Sequence, residues 1–317
     1  MPRPLLAFEE RFMVQDLATN LGGGIRPCAK RVDAFNAAWA RLQDQEPGWA
    51  TDPADKLFED TLDQWFRFHG AMLVGEMASL TLRFLRNNPE ADVLDQFDHV
   101  LVDEYQDLNR CEQELIRFLA ARGALTVIGD EDQSIYSFKH AHPEGIAQFG
   151  DLNPTTHDER LEVCRRCPKL VVELAHALIS HNHGRTPREF RPDPTKADGE
   201  VHIVQWASMT EEAEGIAEFI KARVDACRVS PGKVLVLAPA RPFGYAIRDK
   251  LNAVGVDAHS FFHEEALHGD PKDIDDCKAQ EAFTLLTLLA DPGDRVALRV
   301  WCGFGSSNLR AGEWRRV

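Results

Sequence analysis

A chain of 317 residues with 44% hydrophobic and 27% charged side chains has the composition of a globular protein of two or three domains, and excludes disordered, fibrous and membrane-embedded classes. The formal net charge of −15 argues against a protein that coats nucleic acid by bulk attraction, while leaving room for a local basic groove. No apolar run reaches the roughly 18 residues of a membrane span, no basic–apolar–small leader opens the sequence, and the seven cysteines lack disulfide-framework spacing, so a reduced, cytoplasmic setting without a membrane partner is expected.

Residues 1–95 read as helical. Val32, Phe35, Ala38, Trp39 and Leu42 share one face of a helix, Phe58, Leu62, Trp65 and Phe66 share a second, and Met72 to Leu85 forms a third that Asn87-Asn88-Pro89 stops. Aromatic stripes at this spacing are core far more often than ligand sites. The run Gly22-Gly23-Gly24 is not a phosphate-cradling loop, since Ile25-Arg26-Pro27 follows it and neither a lysine nor a preceding strand is present. It reads as a plain loop.

Residues 96–160 carry the most informative pattern. His99 to Val102 and Leu125 to Ile128 are short apolar runs, read as buried strands, and each turns abruptly acidic: Asp103-Glu104 after the first, Asp130-Glu131-Asp132 after the second. Between them Asn109 and Glu112 make a capping-box pair for a helix whose buried face is expected at Leu115, Ile116 and Leu119, with Gly123 ending it. Strand–helix–strand is the unit of a parallel sheet, and ligands of such sheets sit beyond the carboxyl ends of the strands. Two carboxylates at a buried strand tip are costly to desolvate without a compensating cation or hydrogen bonds. Their hard oxygens suit Mg²⁺, so the working expectation is a nucleotide–magnesium site.

After a loop, Leu161-Glu-Val-Cys-Arg-Arg-Cys-Pro168 leads into a helix expected to bury Leu170, Val171, Leu174, Ala175 and Ile179. The polar stretch from Arg185 to Lys196 is expected to be exposed. Residues 201–262 read as a second α/β segment: strand Val201 to Val204, helix Thr210 to Ala226, buried strand Lys233 to Ala238, and helix Phe243 to Val254 closed by Gly255. Residues 263–317 return to helix at Lys278 to Leu289 and Arg295 to Trp301.

Val102-Asp-Glu-Tyr-Gln-Asp107, followed by Gly129-Asp-Glu-Asp-Gln-Ser-Ile-Tyr-Ser-Phe-Lys-His-Ala141, resembles the Walker B and sensor-like motifs of UvrD/Rep-type superfamily 1 DNA helicases, and Leu161 to Cys167 resembles that family's next motif. The resemblance implies an α/β fold: parts of two RecA-like P-loop NTPase lobes with parallel sheets, plus helical inserted subdomains. Residues 1–95 would be the helical insert of the first lobe, 96–160 its C-terminal part, 161–262 the N-terminal part of the second lobe, and 263–317 the helical start of that lobe's insertion. It implies ATP and Mg²⁺ as cofactors, single-stranded or partly duplex DNA as partner, and other repair or replication proteins beside it.

Residue by residue, the resemblance implies that Asp103 helps to hold Mg²⁺ on the β- and γ-phosphates, and that Glu104 beside it polarises the attacking water as general base. Gln133 would sense the γ-phosphate, and Arg166 would be an arginine finger. Arg165 stands where the family usually has an adenine-stacking tyrosine, and a guanidinium plane can stack as well. Phe138 would stack on a single-strand base, an interaction worth about 1–3 kcal/mol, with Tyr136 and Lys139 close by. Lys139-His140 replaces the family's usual Arg-Gly.

Plainer readings stand beside these: an acidic strand end in an ordinary α/β fold, Phe138 as core, Arg165-Arg166 as a solvated helix entry. Cys164 and Cys167 have zinc-like spacing, but His181 and His183 are one residue apart where such sites use about three to five, and the helicase-like motif overlaps both cysteines. No Gly-Lys-Ser or Gly-Lys-Thr occurs in the sequence, so the lysine and backbone donors that would cradle the phosphates are not supplied by such a loop. The expectation is the middle of a helicase, inactive on its own. A non-enzymatic DNA-binding or regulatory module on the same fold is the alternative, and an unrelated Mg²⁺-dependent phosphohydrolase a third reading.

Overall fold

The structure, a computed structural model, describes residues 2–45, 49–135, 140–182, 189–261 and 267–316. The chain divides into two compact units. One comprises Met1–Cys164, Leu174–Arg191 and Leu267–Val317; the other comprises Arg165–Glu173 and Pro192–Ala266.

In the first unit, strand β1 (Arg3–Pro4) leads into helix α1 (Ala7–Leu21), which the sequence pattern did not signal. Its weak amphipathicity hides it: Glu9 and Asp16 are buried on the same helix as Phe8, Phe12, Met13 and Leu17. Gly22 ends it with φ +69°, a left-handed cap that favours glycine, so the glycine run is a helix stop and a loop as expected. Helix α2 (Ile25–Arg41) buries Val32, Phe35, Ala38 and Trp39 as predicted, whereas Leu42 lies past its end with φ +61°. Helix α3 (Pro53–His69) is capped by Asp52, which accepts from the amides of Ala54 and Asp55, and it buries Phe58, Leu62, Trp65 and Phe66. Met72 belongs to strand β2 (Ala71–Met72), parallel to β1, and α4 starts later, at Met77–Asn87.

The C-terminal helices, expected to open a separate insertion, share the core of the N-terminal ones. Helix α11 (Lys278–Ala290), α12 (Arg295–Trp301) and α13 (Ala311–Trp314) belong to the first unit. Cys277, Val296, Val300, Phe304 and Leu309 are buried in one cluster with Phe8, Phe12, Phe58 and Trp65. Arg3 fixes this arrangement by donating to Glu9 at 2.7 Å and to Asp294, the N-cap of α12, at 2.6 Å.

Strand β3 (His99–Val102), α5 (Arg110–Leu119) and β4 (Ala124–Val127) form the expected strand–helix–strand, with β3 and β4 parallel and in register from His99↔Ala124 to Val102↔Val127. The capping box is present: Asn109 Oδ1 accepts from the Glu112 amide and Glu112 Oε2 from the Asn109 amide, both at 2.9 Å. Two expectations need correction. The strands are not buried, since Leu101 is 70% and Ile128 51% exposed, because a ladder of two strands covers only one side of each. On α5 the fully buried positions are Cys111 and Gln113, and Leu115, Ile116 and Leu119 are only half-buried. Gly123 matters through close approach: a Cβ there would lie 2.6 Å from the carbonyl oxygen of Asp98. Short helices α6 (Glu144–Ala147) and α7 (Phe149–Leu152) follow, then strand β5 (Val163–Cys164).

Helix α8 (Lys169–Ile179) buries only Val172, so its expected core face is largely exposed. In the second unit α9 (Met209–Asp225) and α10 (Arg241–Ala253) pack through Ala213, Ala217, Ile220, Ile247 and Leu251. The predicted strands at 201–204 and 233–238 do not form ladders among the described residues. Val234 and Val236 face the helices while Leu235 and Leu237 are exposed, so the alternation of a strand is present. What is missing is a neighbour to take its backbone N–H and C=O groups.

Candidate functional site

Because β3 and β4 are parallel and in register, both chains leave the sheet at the same carboxyl edge, Asp103 after Val102 and Gly129-Asp130 just after Val127. The edge is stitched together by backbone: the Ile128 amide donates to the Val102 carbonyl at 2.7 Å and the Tyr105 amide to the Ile128 carbonyl at 3.0 Å. Asp103 and Glu104 are exposed rather than desolvated, which removes the penalty expected of a buried strand tip. Glu104 sits in the left-handed region, φ +53° and ψ +41°, an uncommon conformation for a residue with a side chain. The chain reverses there into the short turn Tyr105–Asp107, held from below by Tyr105, buried edge-on against Phe149 at 5.7 Å.

A run of hydrogen bonds crosses the edge. Asp103 Oδ1 accepts from the Glu104 amide at 2.9 Å, and Glu104 Oε2 accepts from Gln106 Nε2 at 2.7 Å. Gln106 Oε1 accepts from the Asp130 amide at 3.0 Å, and Asp130 Oδ2 accepts from Gln133 Nε2 at 2.8 Å. Gln106 is 1% exposed. The structure therefore brings Asp103, Glu104 and Gln133 into one network. Gln106, quoted within the motif but given no role in the sequence reading, is its centre. Below it Gln113 donates to the carbonyls of Leu108 (3.2 Å) and His142 (2.8 Å), tying the turn after β3 to the start of α6.

Two adjacent exposed carboxylates fit Mg²⁺, which keeps several waters and takes one or two carboxylates plus phosphate oxygens. They do not make a protein-only cage: among the described residues no group of three or more His, Cys, Asp or Glu side chains could hold a metal. Cys164, Cys167 and His181 form no such group among the described residues, and His183 lies outside them. Tyr136, Phe138 and Lys139 lie outside them too. Arg165 and Arg166 are exposed, in the bend before α8, and belong to the second unit.

The edge thus carries an exposed carboxylate pair, Asp103 and Glu104, beside the Gly129-Asp130 turn. Residues 34–154 match the UvrD/REP helicase N-terminal domain. The chain is 31% identical over 214 residues to the ATP-dependent DNA helicase UvrD1 of Mycobacterium bovis, covering 64% of this chain and 26% of that protein. It is 30% identical over 185 residues to the ATP-dependent DNA helicase PcrA of Leuconostoc citreum, covering 55% of this chain and 24% of that one. DNA helicase II of Escherichia coli is 38% identical over 133 residues, 41% of this chain and 18% of that protein. The chain thus spans about a quarter or less of the length of these relatives, and over about half its own length it resembles UvrD/Rep-type superfamily 1 helicases. Among the described residues no helix is long and apolar enough to cross a membrane.

Proposed function

We propose that this chain carries one wall of the ATP site of a UvrD/Rep-type DNA helicase or translocase, within parts of two RecA-like lobes, residues 96–160 and 161–262. The observation that carries the reading is the in-register parallel pair β3–β4, which sets Asp103-Glu104 and Asp130 on one edge and links them through Gln106. Asp103 and Glu104 would hold Mg²⁺, which when bound neutralises phosphate charge. Glu104, whose Oε2 accepts from Gln106, would be the proton acceptor for water through Oε1. Gln133 reports the terminal phosphate through Asp130. Arg166 would be the arginine finger and Arg165 the plane against adenine. Tyr136, Phe138 and Lys139 contact single-stranded DNA, and repair or replication proteins are the partner class this reading implies.

The absence of Gly-Lys-Ser/Thr from the sequence favours a second reading for the chain by itself, a DNA-binding module without ATP hydrolysis. Both are tested by measuring ATPase activity of the pure protein with and without single-stranded DNA, and by fluorescence anisotropy with a labelled oligonucleotide at low salt. We expect negligible turnover, and weak, salt-sensitive binding that Phe138→Ala reduces. DNA-stimulated turnover would sink the module reading, and equal binding by variant and wild type would sink the stacking role.

A further inference from the structure

We infer that Gln106 is a positioning residue, the element that sets the Glu104 carboxylate and couples it to Gln133. This inference rests on the reading of Asp103 and Glu104 as the magnesium end of an ATP site, and it concerns how the two halves of that wall communicate.

Glu104, in a left-handed turn at the end of an exposed strand, has an exposed side chain, as does Asp103 beside it. An exposed glutamate keeps several rotamers, and a general base must hold one. The contact that restricts it is the 2.7 Å bond from Gln106 Nε2 to Glu104 Oε2. Gln106 can do this because its own side chain is buried and held at the other end, where its Oε1 accepts the Asp130 amide. One amide group thus donates to the tip of the first strand and accepts from the tip of the second.

The geometry around it is built for that passage. At Gly129 a Cβ would lie 2.5 Å from Gln106 Oε1, so a side chain there would block the amide from reaching Asp130. The Ser134 hydroxyl lies 3.5 Å from the Gln106 carbonyl, at the limit of a hydrogen bond, on the segment that follows Gln133. Beyond Asp130 N the path continues through the same residue's carboxylate to Gln133 Nε2 at 2.8 Å. A displacement of Gln133 by a phosphate therefore pulls on Asp130, Gln106 and Glu104 in turn. Every step is a hydrogen bond between neighbours, so the connection stays within one unit. A glutamine suits the place where other residues do not: it needs one donor and one acceptor on a single planar group, and a glutamate would set a second negative charge against Glu104.

The test is an NMR titration of the full chain with magnesium chloride, following the Asp130 backbone amide and the Gln106 and Gln133 side-chain amides. In the wild type the Gln106 side-chain protons and the Asp130 amide exchange slowly with solvent, and Mg²⁺ moves signals at Asp103, Glu104 and Gln133. In Gln106→Met the Asp130 amide loses roughly tenfold in protection, about one hydrogen bond, and the Gln133 signal no longer follows Mg²⁺ although Asp103 still does. Gln106→Glu separates the two ends: it keeps an acceptor for Asp130 and its protection, yet loses the response of Gln133. A merely structural role would lower protection throughout the unit in both variants and leave the Mg²⁺ response of Gln133 in place, which overturns the inference. Wild-type Gln106 protons exchanging as fast as an exposed amide overturn it without any variant. Mg²⁺ that moves no signal at Asp103 or Glu104 in the wild type overturns the ATP-site reading itself, and the coupling with it.

Discussion

The guanidinium of Arg299, on α12, meets the carboxylate of Asp16, on α1, through two hydrogen bonds: Nε to Oδ2 at 2.8 Å and Nη2 to Oδ1 at 2.5 Å. Both side chains are buried, 0% and 4% exposed, and Trp65 Nε1 adds a third donor to Asp16 Oδ2 at 3.1 Å. Residues far apart in sequence are thereby held as one helical body, with the Arg299 plane 5.4 Å from the Phe12 ring and 5.5 Å from that of Trp314. Removing one partner strands the other charge in the core. We expect Arg299→Met to cost about 3–5 kcal/mol in a urea denaturation series, and the double variant with Asp16→Asn to recover much of that loss. A single-variant loss below about 1 kcal/mol would show that the pair does not hold the helices together.

The same body carries two acids displaced upward by burial. Glu10 is pushed to about 7 by desolvation, reinforced by Asp33 and Glu9. Glu76 also reaches about 7, again mainly by desolvation, with Arg83 opposing and Asp63 and Asp44 reinforcing. Each acid holds its proton more tightly folded than unfolded. Its contribution to stability is therefore full below the ordinary value of 4.5 and is lost as pH rises through 7. Glu10→Gln and Glu76→Gln should each raise the melting temperature at pH 8 relative to wild type and change it little near pH 5. An equal shift at both pH values would show that the effect is packing and not charge.

Much of this could be read in the residues, and where reading failed the reason is physical. Aromatic periodicity located α2 and α3, Asn109 with Glu112 located the start of α5, and Gly255 the end of α10, because each is a local rule satisfied locally. Asp103 and Glu104 were legible as a strand tip, since an apolar run turning acidic needs only the sequence to be seen. Helix α1 was not, because burying Glu9 and Asp16 depends on Arg3 and Arg299, partners that periodicity cannot supply. The depth of β3 and β4 and the missing ladders at 201–204 and 233–238 depend on which strands lie alongside, a non-local fact. Gln106 looked like one polar residue among several in an acidic turn. Its contact with the Asp130 amide arises only when the second strand is in register.

Helix α11 reverses the usual amphipathic rule, and its substitutions should follow the reversal. Its buried positions are Gln280 and Thr284, while Leu286 and Leu289 are 66% and 71% exposed. Gln280 Nε2 donates to the carbonyls of Leu267 at 2.9 Å and Gly269 at 2.7 Å, holding the segment before the helix. Gln280→Ala leaves those acceptors unmet and should cost about 1–3 kcal/mol. Leu286→Gln with Leu289→Gln should stay within about 0.5 kcal/mol per site, as exposed substitutions do. Chemical denaturation of the two proteins decides it. A larger loss from the leucines would mean that their exposed face is covered in solution.

Gly129 joins the fold to the candidate site, and its replacement separates space from chemistry. Its backbone needs no left-handed turn, since it is not among the residues with positive φ. The constraint is room: a Cβ would meet Gln106 Oε1 at 2.5 Å, Ile146 Cδ1 at 2.6 Å and the Tyr105 amide nitrogen at 3.3 Å. Ile146 can rotate a methyl away, but Gln106 can yield only by giving up the Asp130 amide. Gly129→Ala should therefore cost about 1–3 kcal/mol from overpacking and expose the Asp130 amide to exchange. Combining it with Gln106→Ala should restore part of the stability by removing the clashing atoms, without restoring Asp130 protection, because the acceptor is gone. If Gly129→Ala keeps wild-type stability and Asp130 protection, the turn after β4 relaxes freely and the close packing of the two strand tips does not constrain it.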